Sequence, residues 1–569
     1  MYLRVTGRRN RDGSSTTCYA LAENVWNAKT KRSEARVVHS FGRADQIDKA
    51  ALQRLVASIN RVIDADAADP LPVRGKTALP EIAIDAVFER GIVLAARSLW
   101  EELGIGEAIR TRMAHAGLAA PHETALFAMA AHRLDDPTSK LGCASRWLPD
   151  VAWLPEAGQL TVDPLYRALD LLAVWSEAIE RDVFLRSAAL LRLDVDLIFH
   201  DTTTAYFEID EADTHAELWG GRLFAPRRQR GHSKEGRDAN PQVIIALAVT
   251  RDGMPVRSWV LPGNTADVTT VARIKQDLHA WRLGRCLFVG DAGMYSADTL
   301  AELSRGLGRY VLAVPMRRVG EVEAAVLSRP GRYRKLADNL EVKEVWVGTG
   351  ERRKRHVLCF NPAEAERQRQ HRAQLLAELE AELRLLDERA EDHPKAARML
   401  LASRRWGRYL SPDSQGRPKL DAAKVKAAVK FDGKWVVITN DETLTAEDVA
   451  LAYKGGAIIE SCFRRMKQTG LEVRPMFHWR ARRIEAHVKL CVLALQMQRT
   501  AEIRTGLSWA RIAHLLSGLK AVRYGSESRT IVQRTKIAGE LAELLKKLGI
   551  PIPKQLLTVT EAAETPAAA

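Results

Sequence analysis

The chain has 569 residues, a length that corresponds to three or four domains at roughly 150 residues each. Hydrophobic residues make up 46% and charged residues 28%, a balance that excludes disorder as the main state. Lys and Arg number 86 against 71 Asp and Glu, a net charge of +15, so the natural long-range partner is a polyanion, nucleic acid first and an anionic membrane second. The longest clean apolar runs, Ala125 to Ala131 and Val243 to Val249, fall far short of the ~20 residues of a membrane-spanning helix, so no membrane partner is expected. The N-terminus carries charges where a signal peptide has its apolar segment. Six scattered cysteines, with no CxxC and no Cys/His cluster, read as reduced thiols of a cytoplasmic protein.

Taken in chain order, Tyr2 to Val5, Tyr19 to Trp26 and Ala35 to Ser40 alternate as strands. A helix from about Asp48 to Ile63 and a proline-bearing linker from Asp64 to Pro80 follow, which makes 1–80 a small sheet-plus-helix region. Apolar residues at helical spacing, beginning with Ile84, Val87, Phe88 and Ile92, predict a helical domain over 81–192. The period then changes. Strands are predicted at Val195 to Phe199, at Val243 to Thr250 and at Val256 to Leu261, the last two joined by a turn at Asp252 and Gly253. Helix Val268 to Trp281, strand Cys286 to Val289, helix Asp298 to Leu307 and strand Tyr310 to Val314 complete the first part of an α/β core, 193–316. Residues 317–440 read as an α+β insertion, with strands at Val342 to Val347, His356 to Phe360 and Trp435 to Thr439. Its charged helix, Ala363 to Glu391, carries leucines 375, 379, 383 and 386 at a spacing that predicts packing against a neighbour. A long helical stretch from Ala446 to Arg499 supplies the second part of the core, 441–500. Further helix to Leu548 and a frayed tail from Glu561 make up 501–569.

Two aspartates stand just past the ends of apolar strands, Asp201 after LIFH and Asp291 after LFVG. In an open α/β sheet the flanking loops leave a crevice at such strand ends, where a carboxylate can hold a hard cation, although a lone Asp there is commonly a turn opener or helix cap. Glu460, on a helix beside Ile458, Ile459 and Phe463, adds a third acid. From Tyr453 to Arg499 there are ten Lys/Arg against three Glu. Three carboxylates beside a basic face suit two Mg²⁺ or Mn²⁺ ions, which would activate a water or a 3′-hydroxyl in a phosphodiester displacement.

These residues carry a resemblance. HDTTTAYFE (200–208), GHSKEGRDANPQVIIAL (231–247), PGNTADVTT (262–270), VGDAGMYSADTL (289–300), FDGKWVVITN (431–440), YKGGAIIESCFRRMKQ (453–468) and LEVRPMFHWRARRIEAHV (471–488) resemble the DDE transposases of bacterial insertion sequences. The match is to the "insertion sequence four" superfamily and, within it, to the branch designated sixteen thirty-four. The resemblance implies an α/β fold with a ribonuclease-H-like catalytic core interrupted by an insertion domain. It implies Asp201, Asp291 and Glu460 as catalytic metal ligands, a spacing of 90 and then 169 residues that leaves room for the insertion. The family pattern around the last acid is matched by Tyr453, Glu460 and Lys467, but its arginine position is Gly456, where Lys454, Arg464 or Arg465 could supply the charge.

Arg480, Arg482 and Arg483 form a second basic group, expected with Arg464 and Lys467 to meet DNA phosphates. The run Arg222 to Arg237, six Lys/Arg against one Glu, is either a solvated face or a phosphate grip through Lys234 and Arg237. His200 should point to the other side of its strand, and Trp346, Trp406 and Trp435 should be core, the alternative that the resemblance implies being an aromatic in the insertion that stacks a displaced base. Recognition of the element's ends falls to the region before residue 190, with Arg110, Arg112, Arg133 and Lys140. The expected function is a transposase acting on double-stranded element ends and target DNA, as a homodimer in the DNA complex. A former transposase that only binds DNA and a plain metal-dependent nuclease are the rival readings.

Overall fold

The computed structural model describes residues 2–9, 15–27, 32–44, 83–350, 353–388, 394–468, 470–525 and 529–561, together with single positions between 47 and 56. The chain divides into two compact units, residues 1–81 and 82–569. In the first, β1 (Tyr2–Arg9), β2 (Ser15–Asn27) and β3 (Arg32–Arg43) form an antiparallel three-stranded meander. The helix expected from Asp48 falls almost wholly outside the described residues, as do the linker to Pro80 and the tail beyond Glu561.

The second unit begins with β4 (Ala83–Glu89) and continues as helices α1 (Gly91–Glu102), α2 (Ile105–His115), α3 (His122–Asp135) and α4 (Val162–Leu191). There follow β5 (Leu197–Tyr206), a short hairpin of β6 (Glu217–Trp219) and β7 (Arg222–Phe224), and a long hairpin of β8 (Gln242–Thr250) and β9 (Pro255–Pro262). Helix α5 (Asp267–Ala280), β10 (Leu287–Gly290), α6 (Ala297–Ser304) and β11 (Arg309–Val314) come next.

The segment expected to be an insertion is divided between the large sheet and a part outside it. Its strands β12 (Arg334–Ala337), β13 (Leu340–Val347) and β14 (Lys354–Phe360) extend the same sheet. Outside that sheet stand α7 (Pro362–Glu388), α8 (Pro394–Ala402), the hairpin β15 (Leu410–Pro412) and β16 (Pro418–Leu420), and α9 (Ala422–Val429). Leu379 of α7 packs there against Tyr409 and Leu410, as its spacing predicts. Strand β17 (Lys434–Thr439) returns between β11 and β14, so the nine strands run β12-β13-β14-β17-β11-β10-β5-β8-β9. The reason is pairing: β17 is antiparallel to β11 on one side and to β14 on the other, and the backbone groups of β11 are covered on both edges. Strands β5, β10 and β11 are mutually parallel.

The helical stretch after β17 is three helices, α10 (Ala446–Lys454), α11 (Ala457–Lys467) and α12 (Ala481–Thr505). A capping box between Thr445 and Asp448 starts α10. Alternation along the strands sorts the core into two layers. Leu197, Phe199, Val289 and Val311 share one layer with α11, α12 and the helices of 81–192, so that region has no core of its own. Ile198, Phe288 and Leu312 face α5 and α6 on the other side.

Helices α13 (Trp509–Leu516) and α14 (Gly539–Lys547) accompany β18 (Lys520–Gly525), β19 (Arg529–Arg534) and β20 (Leu556–Glu561). These three strands and β4 form an antiparallel sheet in the order β20-β19-β18-β4. Two expectations are thereby corrected: 83–89 is strand rather than helix, and the region after 501 is not helical throughout. Ile84, Val87 and Phe88 satisfy helical spacing and also fit a short strand; the partner that decides is β18, whose Lys520 pairs with Glu89 at a separation of 431 residues.

Candidate active site

The parallel register of β5 and β10 aligns Leu287 with Leu197 and Val289 with Phe199. Carried two residues further, the same offset sets Asp291 beside Asp201. Phe199 and Val289 both face the layer containing α11, and alternation turns Asp201 and Asp291 to that same face. Asp291 follows the last residue of β10, as expected. Asp201 does not lie past its strand: β5 continues to Tyr206 along β8, so Asp201 marks the point where β5 outruns its shorter parallel neighbour.

Helices α10 and α11 lie over this point because their junction has no side chains. A Cβ on Gly455 would come 2.8 Å from Phe199 Cζ. At Gly456, where the family pattern has arginine, the nearest part of Phe199 would be 3.9 Å from a Cβ. The junction aims Tyr453 at the acids: its hydroxyl donates to Asp291 Oδ1 at 3.3 Å, and its own ionisation is opposed by burial first and then by Asp291, Glu460 and Asp201. Glu460 lies in the first turn of α11, where a helix N-terminus favours a carboxylate.

Positive charge arrives from the loop between β7 and β8. Lys234 Nζ is 3.3 Å from Asp201 Oδ1, donates to the Thr202 carbonyl at 2.7 Å, and is 3.6 Å from Asp267 Oδ2. Asp267, in the first turn of α5, also accepts a hydrogen bond from Thr202 Oγ1 at 2.7 Å. The loop reaches this position because Gly231 lies against Gly263, whose carbonyl oxygen would be 2.1 Å from a Cβ there. The next residue, Glu235, accepts from Lys467 Nζ at 2.6 Å and pairs with Arg474. Burial raises the Asp201 pKa above its ordinary value, Lys234 and the Thr202 N–H oppose the rise, and Asp291 adds to it. Burial lowers that of Lys467, against the pull of Glu235.

The expected DNA contacts divide. Arg464, one turn after Glu460, is exposed and has no hydrogen-bond or ion-pair partner among the described residues. Lys454 is exposed near Asn339, Arg237 stands over the Tyr206 ring, and Arg480 pairs with Glu217 at the surface. Arg465 is held by Glu502. Arg482 is a correction: its side chain is 4% exposed and is bound to Asp170, to Glu217 and to the Trp219 ring. Arg483 shares Asp170. In the run from 222, Arg222 and Arg227 both bind Glu485, and Arg228 binds Asp213. Arg133 and Lys140 are buried, which removes these two from the surface cations expected to read DNA, while Arg110 pairs with Glu101 at the surface and Arg112 pairs with Asp182. His200 lies on the opposite face against Trp259 and Phe288, its Nδ1 3.0 Å from the Leu247 carbonyl. Trp346, Trp406 and Trp435 are half-buried, Trp346 beneath Arg353 and the other two against core clusters.

Sequence reasoning missed Asp267, Glu235 and Arg474, and also a cavity of about 590 Å³ that Lys467 and Arg474 border. Lys467, Arg474, Arg228, Tyr206, Phe477 and Trp479 line it, and the last two are largely exposed. The signal lies in PGNTADVTT, which contains Asp267, and in LEVRPMFHW, which contains Arg474, Phe477 and Trp479.

Three carboxylates with no thiol or imidazole among them fit a hard divalent cation, which takes oxygen ligands. Among the described residues no group of three His, Cys, Asp or Glu side chains is drawn together tightly enough to hold a metal ion. No described helix is long and apolar enough to cross a membrane.

Residues 216–495 match the family described as Transposase DDE domain, and residues 3–69 match the IS1634 family transposase, N-terminal domain. The first match includes Asp291 and Glu460 and begins after Asp201. No curated protein matches the chain.

Proposed function

We propose that this chain, which belongs to the DDE transposases of the IS1634 branch, binds the terminal inverted repeats of its insertion sequence, cleaves the DNA there and joins the freed 3′ ends to target DNA. The observation that carries the reading is the β5–β10 register, which sets Asp201 and Asp291 side by side beneath the helices that bear Tyr453 and Glu460. The strand order β9-β8-β5-β10-β11, an antiparallel hairpin leading into parallel strands, supports a ribonuclease-H-like core.

Asp201, Asp291 and Glu460 would hold Mg²⁺ or Mn²⁺, which when bound activates a hydroxyl and stabilises the leaving oxygen of a phosphodiester. Tyr453 fixes the carboxylate of Asp291 and acts as a contact rather than a nucleophile. Arg464 presents charge to the phosphates that flank the scissile bond, with Lys467 and Arg474 adding to it where a phosphate displaces Glu235, and positioning of this kind lowers the barrier without chemistry by the protein. The exposed aromatics of the adjoining cavity offer faces on which a base can stack. As an enzyme of its element's DNA it acts in the bacterial cytoplasm, and we take the DNA complex to hold two copies.

Asp201→Asn, Asp291→Asn and Glu460→Gln test the reading on a labelled duplex carrying the element's terminal repeat. Each is expected to abolish Mg²⁺-dependent cleavage and strand transfer while end binding persists, because the neutral isostere keeps shape and loses metal affinity. A variant that cut at near the parent rate would remove its residue from the site.

A further inference from the structure

We propose that Asp267 is a second seat for Lys234: the ammonium neutralises Asp201 while no metal ion is bound and passes to Asp267 when a divalent cation takes Asp201. The inference rests on the functional reading above and adds a residue and a motion to it.

Three observations point this way. Lys234 Nζ lies between the two carboxylates, 3.3 Å from Asp201 Oδ1 and 3.6 Å from Asp267 Oδ2, so the transfer needs a shift of the side-chain end and no refolding. The Thr202 carbonyl, at 2.7 Å, is a pivot common to both positions. Asp267 is itself held for the purpose: Thr202 Oγ1 donates to its Oδ1, which leaves Oδ2 turned to the lysine, and its place in the first turn of α5 favours the charged form. The loop is fixed as well, with Ser233 buried and its N–H donating to Asp238 Oδ1 at 2.5 Å.

The electrostatic argument is about competition. An ammonium and a divalent ion cannot both sit against one carboxylate without strong like-charge repulsion. Were Lys234 to have no other acid within reach, each binding event would have to expel it to solvent. With Asp267 present it moves a short distance and keeps a counter-charge. Asp267 is therefore a positioning residue that acts on the metal through Lys234.

Isothermal titration of the full-length, DNA-free protein with Mn²⁺ reads this directly. Lys234→Met should bind Mn²⁺ about tenfold more tightly than the parent, because the competing cation is gone. Asp267→Asn should bind about tenfold more weakly, since Lys234 is then confined to Asp201, while the asparagine still accepts from Thr202. The decisive form is Lys234→Met with Asp267→Asn, which should match Lys234→Met alone. A loss that persisted in the double variant would overturn the proposal, since Asp267 would then be acting on the ion or the fold and not through the lysine. An Mn²⁺ affinity unchanged in Lys234→Met would overturn it too, and that variant decides the matter if Asp267→Asn fails to fold. A parent chain that bound no Mn²⁺ would sink the metal reading of the site and this inference with it, whereas normal binding by the parent with no response to Lys234→Met rejects the inference alone.

Discussion

Arg464→Ala and Arg482→Ala remove the same charge from neighbouring helices and should have opposite consequences. Arg464 is exposed one turn beyond Glu460, with no partner among the described residues. If it meets a phosphate, its loss should make the slope of log affinity against log salt shallower by about 0.9. Over a fourfold rise in salt the parent should then lose about 3.5-fold more affinity than the variant, the power law for one contact. Stability should change by no more than about 0.5 kcal/mol, as for a surface site. Arg482 is bound to Asp170 at 2.8 Å, with both side chains almost fully buried, and its guanidinium carbon lies 4.2 Å from the Trp219 ring centre. Truncating one partner of such a buried network costs about 3–5 kcal/mol, and the salt slope should stay at the parent value. Fluorescence anisotropy on a terminal-repeat duplex across the salt range, with chemical denaturation of the same preparations, measures both quantities. The assignment collapses if Arg464→Ala keeps the parent slope, or if Arg482→Ala unfolds normally and loses a full contact's worth of slope.

Two further outcomes follow from the charge arrangement. Glu235→Gln releases Lys467 and Arg474 from their shared carboxylate, so DNA binding should tighten at low salt and the salt slope should steepen by up to about 1.8; an unchanged slope would mean that neither cation reaches DNA. Burial holds His132 at about 2, His478 at about 3 and His200 at about 4, all below the ordinary 6.5, so below pH 6.5 the unfolded chain binds more protons than the folded one. Stability from these groups is complete above about pH 6.5 and falls as pH drops toward the folded values, by up to about 1.4 kcal/mol per pH unit for each. The melting temperature should thus decline between pH 7 and pH 5, and a flat profile over that window would refute the buried neutral state.

Much of the fold was legible because its strands are local and their periods clean. The apolar run at Val243 to Thr250 with its Asp252–Gly253 turn became β8 and β9, and the strand-helix alternation to Val314 became β10, α6 and β11. Elements whose state depends on a distant partner were not legible. Strand β4 pairs with β18 across more than four hundred residues, and the same apolar spacing would have served a helix in another setting. The insertion was legible as a change of character but not as a continuation of the sheet, because nothing local to Trp435–Thr439 tells it to return between β11 and β14.

The acid half of the site shows why spacing can carry geometry. Because β5 and β10 pair in parallel with an offset of 90, the 90 residues between Asp201 and Asp291 equal the register, and acids at these two positions are neighbours although Asp201 lies within β5 and only Asp291 follows its strand. The basic half offers no such rule. Ten Lys/Arg against three Glu from Tyr453 onward is a true count that does not say which charges face out. Arg482 and Arg483 belong to Asp170, more than three hundred residues earlier, Lys489 belongs to Glu180, and Lys467 belongs to a glutamate that arrives on a loop between the first two core strands. A charge run therefore places a face only after its buried counter-charges have been subtracted, and those are set by tertiary packing of α12 against α4 and the 222–237 loop. The arginine that survives the subtraction cleanly is Arg464, which is why the discrimination between contact and scaffold turns on it.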